Sequence, residues 1–148
     1  MHLTEVARPD PESLSVQQLV GQQLTNIDVS GLPNWVFHFS GGVKLSATTV
    51  WRLLASGRVE VTSEDHGQTF GAVEPEDAFG ALARTTHDRP ILTAAVDAVT
   101  ADLSIGFTDD IRLQVLSISA GYENWTMFRP DGTQLVAMGG GRLALFKG

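Results

Sequence analysis

Hydrophobic and polar residues alternate along most of this chain, which is the pattern of half-buried β-strands. The clearest case is the segment 35–39, Trp-Val-Phe-His-Phe, whose three aromatic residues share one face of a strand. Gly41-Gly42 follows as a natural hairpin turn, because glycine adopts positive φ at little cost, and the alternation resumes over 43–47. A second hairpin is predicted around Gly57.

One segment has the signature of a helix instead. Residues 75–84 begin with proline at a first-turn position and with two acids, and Phe79, Leu82 and Ala83 form an apolar stripe. We therefore predict a helix over 75–84. At the other end of the chain, residues 1–18 are expected to be a flexible tail followed by the start of a short helix.

The two halves of the chain resemble each other. A shift of 68 residues places the strands of the first half on those of the second, and after a six-residue insertion at 116–121 the shift becomes 74. Two amphipathic β-segments also align by chance, because alternation alone supplies half of the matches. The matched pairs are Leu24 with Leu92, Trp35 with Leu103, Phe37 with Ile105, Phe39 with Phe107, Leu45 with Leu113, Ala47 with Val115, Trp51 with Trp125 and Leu53 with Met127.

These patterns predict the α+β fold class, mainly antiparallel β. We expect a single globular domain over 19–148, with about eight strands in two pseudo-repeated β-units, 19–73 and 91–148, joined by the one short helix at 75–84. The sequence leaves open whether the units form layers or a barrel-like closure.

Composition excludes several classes of function. The chain has no cysteine, so it has no disulfides, thiolate metal site or cysteine nucleophile. A net charge of −7 argues against nucleic acid as a partner, since phosphate binding requires clustered Lys and Arg. No signal peptide or membrane span is evident, so we expect a cytoplasmic location and no membrane partner.

No cofactor or metal site is predicted. Gly139-Gly140-Gly141 with Ala144 fits a relaxed dinucleotide pattern, but no helix can follow it within the seven residues that remain, so we interpret it as a tight turn. The four histidines show no ligand-like spacing, and no convergent catalytic set is evident. The expected function is therefore non-enzymatic.

The negative charge is concentrated in one segment. Residues 60–77 contain six acids and no Lys or Arg, so they carry −6 of the net −7. Such a segment attracts a basic partner, and Glu60, Glu64 and Asp65 are its candidate binding residues. A solvated loop whose last acids stabilise a helix N-terminus explains the same residues.

Two further features add candidate binding residues. Tyr122 and Glu123 lie at the insertion in the second half and are expected to be exposed, whereas Trp125 is expected in the core. His66 follows a carboxylate in the Gly-containing turn 63–68, where metal binding or acid–base chemistry is conceivable and a simple acidic turn is the alternative.

Several of these motifs together resemble a known family. Gly-Tyr-Glu-x-Trp at 121–125, Pro-Asp-Gly at 130–132, Gly-Gly-Gly at 139–141 and the upstream segment 63–71 resemble a small bacterial domain family of unknown function, found mainly in actinobacteria. The resemblance covers about residues 19–146 and implies no catalytic residues. Immunity proteins of bacterial toxin systems have a similar small, acidic, β-rich appearance.

Three hypotheses follow. The first is an interaction domain, of immunity type, that binds a basic protein partner through Glu60, Glu64, Asp65, His66, Tyr122 and Glu123. The second is a small-molecule binding domain or enzyme with a pocket between the two β-units near His66. The third is a homodimer built on an exposed sheet edge.

Overall fold

The chain folds into two antiparallel β-sheets that contribute to one hydrophobic core. The computed structural model describes residues 2–28 and 34–148. Strands are numbered in chain order. The first sheet contains, in spatial order, β1 (Thr4–Glu5), β12 (Leu143–Lys147), β11 (Gln134–Ala137), β10 (Trp125–Phe128), β4 (Lys44–Ala47), β3 (Trp35–Phe39) and β2 (Leu24–Asp28). The second contains β6 (Arg58–Thr62), β5 (Trp51–Ala55), β9 (Ile111–Val115), β8 (Leu103–Phe107) and β7 (Ile91–Val96).

The mainly antiparallel character with one helix is confirmed. The predicted number of about eight strands is too low, since the described residues form twelve. Several of the strands are short: β1 has two residues, and β4, β10 and β11 have four each. A strand of two residues has no periodicity from which it could be predicted.

The hairpins at 35–47 and 51–62 form as predicted. Phe37 pairs with Leu45, and both side chains are fully buried, so the three aromatic residues of β3 do share the inner face. The hairpin around Gly57 departs from strict alternation, because a register shift between Leu53 and Leu54 turns Val59 outward, where it is 55% exposed.

Each half of the chain contributes strands to both sheets. The first half provides β2, β3 and β4 to the first sheet and β5 and β6 to the second. The second half provides β7, β8 and β9 to the second sheet and β10, β11 and β12 to the first. The halves meet where β4 pairs with β10 and β5 pairs with β9. Ala47 lies opposite Trp125, and Trp51 lies opposite Val115. The shift of 68 takes Ala47 to Val115 and the shift of 74 takes Trp51 to Trp125, so the two pairings are equivalent under these shifts.

One predicted correspondence between the halves is wrong by a residue. Leu24 pairs with Phe39, and the residue paired with Phe107 is Ile91 rather than Leu92. β2 and β7 each contain a bulge at this point, and Leu92 is the additional residue of the bulge in β7. Leu92 consequently lies on the exposed face.

The helix begins and ends later than the sequence predicts. It is α1 (Ala78–Thr86), and Asp77 caps it, since its Oδ1 accepts the Gly80 N–H at 2.9 Å. Its buried face is Ala78, Leu82 and Thr86, whereas the predicted Ala83 is exposed. The helix packs against the edge strands β2 and β6. None of the described segments forms a helix with the length and apolar composition to cross a bilayer.

The N-terminal residues are not a free tail in this structure. Thr4 of β1 pairs with Lys147 of β12, and the Arg142 guanidinium lies 2.8 Å from the Glu5 carboxylate. The predicted short helix is replaced by two 3₁₀ turns, Pro11–Leu14 and Gln17–Leu19, of which the second contacts β7. Neither turn has a side-chain cap, which helps explain why no longer helix forms.

Candidate functional site

Two crossovers between the sheets lie side by side and form the framework of the site. The first, residues 48–50, joins β4 to β5, and the second, residues 116–124, joins β9 to β10. The Thr48 N–H donates to the Asn124 carbonyl at 3.1 Å, and the Leu116 N–H donates to the Val50 carbonyl at 2.9 Å. These bonds hold both crossovers together, although the second is six residues longer.

An open pocket of about 420 Å³ lies beside these crossovers, and we call it the crossover pocket. Its wall includes the turn after β6 and the ring of Trp35, which meets the His66 ring edge to face at 5.4 Å. The pocket thus has an aromatic wall and a polar rim. Its lining residues are Trp35, Thr48, Thr49, Val50, Ser63, Glu64, His66 and Ile118.

His66 is held by the start of α1. Its Nδ1 accepts the Ala78 N–H at 3.2 Å and lies 4.0 Å from the Asp77 carboxylate. Since Nδ1 acts as an acceptor, the neutral ring carries its proton on Nε2. The side chain is 29% exposed, so it has a structural contact on one side and access to solvent on the other.

The carboxylate that precedes His66 serves its own turn. Asp65 Oδ2 accepts the Thr62 N–H at 2.9 Å, and Thr62 Oγ1 accepts the Glu64 N–H, which together form a capping box. The sequence suggested an Asp65–His66 acid–base pair, but the structure gives both groups capping contacts instead. Within the described residues, no group of three or more potential ligands could hold a metal ion.

The acidic segment 60–77 combines charge with exposed apolar side chains. Glu64 lines the crossover pocket, whereas Glu60 lies on an exposed face of β6 and does not. The loop that follows is closed by backbone hydrogen bonds between Gly67 and Glu76 and between Glu76 and Gln68. Within this loop Phe70 and Val73 are exposed.

The loop of Tyr122 and Glu123 borders the same pocket. Both side chains are exposed, Tyr122 to 82%, while Trp125 is buried as predicted. Thr48 Oγ1, in the pocket wall, donates to the Glu123 carbonyl at 3.2 Å. Asn124 Oδ1 accepts two backbone N–H groups of the longer crossover, one of which belongs to the pocket residue Ile118.

Of the six predicted site residues, two line this pocket. They are Glu64 and His66, while the Glu123 carbonyl accepts a hydrogen bond from Thr48 of the pocket wall and Tyr122 precedes Glu123 in the chain. Glu60 lies outside the lining, and the Asp65 carboxylate is used in its turn.

The sequence prediction missed the residues on the pocket wall. Trp35 lies in the core, as its place on the inner face of β3 indicates, but its contact with the pocket was not predicted, and Thr49, Val50 and Ile118 were not considered as site residues. A usable signal existed: the change of shift from 68 to 74 marks the unequal crossovers beside which the pocket lies.

Comparisons with known proteins give one finding. Neither the curated proteins nor the solved structures contain a match to this chain. A family model does match, and it covers residues 15–147, which is most of the sequence. The chain therefore belongs to the family of unknown function DUF6188.

Proposed function

We propose that this domain binds a protein partner and that the crossover pocket and its acidic surroundings receive a basic segment of that partner. The observation that carries the proposal is the pocket itself, which has Glu64 on its wall, while none of its described lining residues is Lys or Arg. Acidic rims select basic partners and raise association rates.

Exposed apolar side chains support a protein rather than a small ion as the partner. Ile118 lines the pocket, Tyr122 lies further along the same longer crossover, and Phe70 and Val73 lie in the acidic segment. Aromatic and aliphatic side chains surrounded by charged groups are typical of interface centres and rims. The Tyr122 ring has few rotors to immobilise, so its burial by a partner is favourable.

Site-specific photo-crosslinking in the native host tests this proposal. A photoreactive phenylalanine analogue replaces Tyr122 or Ile118 in the full chain, and Leu92, which is exposed on β7, serves as the control position. We expect the same protein adduct from positions 118 and 122 and none from position 92. Loss of that adduct on Glu64→Lys supports the acidic rim. Equal adducts from all three positions, or no adduct at all, would overturn the proposal.

A second candidate, small-molecule binding, rests on the size of the pocket and on the Nε2 proton of His66. A volume of about 420 Å³ lies within the usual range of roughly 300–1,000 Å³ for ligand pockets. Native mass spectrometry of the protein isolated without dialysis distinguishes the two. A stoichiometric non-protein adduct that is lost on His66→Ala favours the ligand, and an unmodified mass favours the protein partner.

An immunity-type role is the specific form of binding that we propose, with a basic toxin as the partner in the cytoplasm. The purified domain should then inhibit the activity of the crosslinked partner at a one-to-one ratio. The homodimer is tested independently by light scattering over a concentration series, in which a constant monomer mass would exclude it.

We also propose that the two halves arose by duplication of one β-unit. The equivalent registers of β4 with β10 and of β9 with β5 support this origin. So do the structures that precede each unit: the 3₁₀ turn Gln17–Leu19 contacts β7, and α1 contacts β2. An experimental structure in which the halves superpose strand by strand, in these registers, would test it.

A further inference from the structure

We infer that the crossover pocket receives one arginine side chain, presented by a segment of the partner. The inference rests on the proposed function and specifies the chemistry that the pocket recognises. The comparison of the two halves and the chemistry of the pocket wall support it.

The second half of the chain shows what fills the corresponding place there. After β11 the chain forms the tight turn Gly139–Gly141, and the longer crossover lies directly on it. The Gly140 N–H donates to the Ser119 carbonyl at 3.0 Å, and a Cβ on Gly139 would overlap the backbone of Ala120 and Gly121. A segment of the longer crossover therefore covers this turn.

The first half has the same arrangement without the covering segment. Leu53 pairs with Val61 as Met127 pairs with Leu135, so β6 corresponds to β11 at a shift of 74. The turn after β6 is Ser63–Asp65, and two of its residues line the crossover pocket. Since the crossover of this half has only three residues, it is too short to cover the turn. In the second half, the six additional residues of the longer crossover occupy the place above the turn after β11. In the first half, the crossover pocket lies at the corresponding place above the turn after β6.

The chemistry of the pocket wall favours a planar cation. Trp35 borders the pocket but is only 3% exposed, and its ring already packs against the rings of Trp51 and His66, so polar groups of the wall must hold the cation. The Glu64 carboxylate is the only charged group among the described lining residues and is an acceptor for a charge-assisted hydrogen bond. The hydroxyl groups of Thr48 and Ser63 are further acceptors.

Charge complementarity extends beyond the pocket. The segment 60–77 carries six acids without a base, and Glu123 lies in the loop on the other side of Thr48. This potential attracts a cationic segment, while the pocket has room for one long side chain from it. Lysine lacks the planar fork of N–H donors that can pair with a carboxylate through two hydrogen bonds and also reach neighbouring hydroxyl groups, so arginine is the better fit.

The test uses short capped peptides and the full chain, observed by amide and indole NMR. One peptide has a single central arginine flanked by serine and alanine, and the matched peptide has neutral citrulline at that position. We expect saturable shifts at the Trp35 indole and at residues 48–50 with the arginine peptide. The citrulline peptide should bind about five-fold or more weakly, because the charge-assisted contact is lost.

Two variants locate the interaction. Glu64→Gln should weaken binding of the arginine peptide about five-fold, whereas Glu60→Gln, which neutralises an acid outside the pocket, should change it less than two-fold. Equal effects of the two variants, equal binding of the two peptides, or no shift at the pocket would each overturn the arginine assignment. If a protein still crosslinks at Tyr122 in those cases, the interaction proposal survives without it. If neither experiment shows binding, both fail.

Discussion

The two buried tryptophans at equivalent positions should respond differently to the same substitution. Trp51 and Trp125 are both almost completely buried and start equivalent strands. Trp125 Nε1 donates to the Ala101 carbonyl at 2.9 Å, whereas Trp51 Nε1 is a buried donor without a hydrogen-bond partner among the described residues. Replacement by phenylalanine therefore removes a hydrogen bond at one site and an unsatisfied donor at the other.

The expected magnitudes follow from three terms. Shrinking either indole to a phenyl ring leaves a cavity of roughly 40 Å³, which costs about 1 kcal/mol at ~24 cal/mol per Å³. Trp125→Phe additionally loses a net hydrogen bond of about 1 kcal/mol, and Ala101 O keeps its bond from Ser117 Oγ. Trp51→Phe instead removes a desolvated, unpaired N–H, and this raises the free energy of unfolding by about 1–3 kcal/mol, which offsets the cost of the cavity. The edge-to-face contacts of Trp51 with Trp35 and Phe37 involve a ring that phenylalanine also supplies.

Urea unfolding of the wild type and of both variants measures the difference. We expect Trp125→Phe to lower the free energy of unfolding by about 2 kcal/mol, or the melting temperature by roughly 4–8 °C. Trp51→Phe should remain within about 1 kcal/mol of the wild type or exceed it. An unchanged m-value would show that both variants unfold from comparable states. If Trp51→Phe is as destabilised as Trp125→Phe, the Trp51 N–H has a partner and the reasoning is refuted.

Two further predictions concern the turns of the second half. Gly141→Ala should destabilise the protein by about 2–5 kcal/mol, because Gly141 has a positive φ and a Cβ there would overlap the Val99 carbonyl. Gly132→Ala is the control, since Gly132 has a similar φ but open space around it, and it should cost only about 1–2 kcal/mol. Equal urea midpoints for the two variants would contradict this prediction. Backbone hydrogen bonds, first from Thr100 and then from Val99, lower the pKa of Asp97, so its contribution is present above the unfolded pKa and is lost as the pH falls through the lower folded value. Asp97→Asn should therefore be less stable than the wild type near pH 7 and approach it at pH 2–3 in urea unfolding, and a gap that does not change with pH would argue against this contribution.

Local patterns predicted the parts of the fold that depend on local sequence. The hairpin of β3 and β4 combines strict alternation with a glycine-rich turn, and both are visible within fifteen residues. The helix start was misplaced because Pro75 and Glu76 look like a first turn, yet the Glu76 backbone bonds to Gly67 and Gln68 and leaves Asp77 as the cap. Val59 was assigned to the alternating pattern because a bulge cannot be read from alternation alone.

The site depended on contacts that the local pattern does not contain. The pocket wall joins Thr48 to Ile118, which are 70 positions apart, and Trp35 to His66. Those contacts arise because each half crosses between the sheets and pairs with the other half. Charge and exposure could nevertheless be predicted, since Glu64, Tyr122 and Glu123 carry polar or aromatic groups that no strand face buries.

Two irregularities of the sequence meet at the crossover pocket. The first is the change of the shift between the halves, which occurs at the longer crossover. The second is the concentration of negative charge in the segment 60–77, which contains the turn after β6. The shorter crossover leaves that turn uncovered, and the pocket lies there. In the second half the corresponding turn is Gly139–Gly141, which is uncharged and covered by the chain itself. Two of the acids in the segment 60–77 have local structural contacts, because Asp65 accepts the Thr62 N–H and Asp77 caps α1, whereas Glu60 and Glu64 are exposed. The proposed binding of a cationic segment rests on this concentration of acids beside the turn after β6.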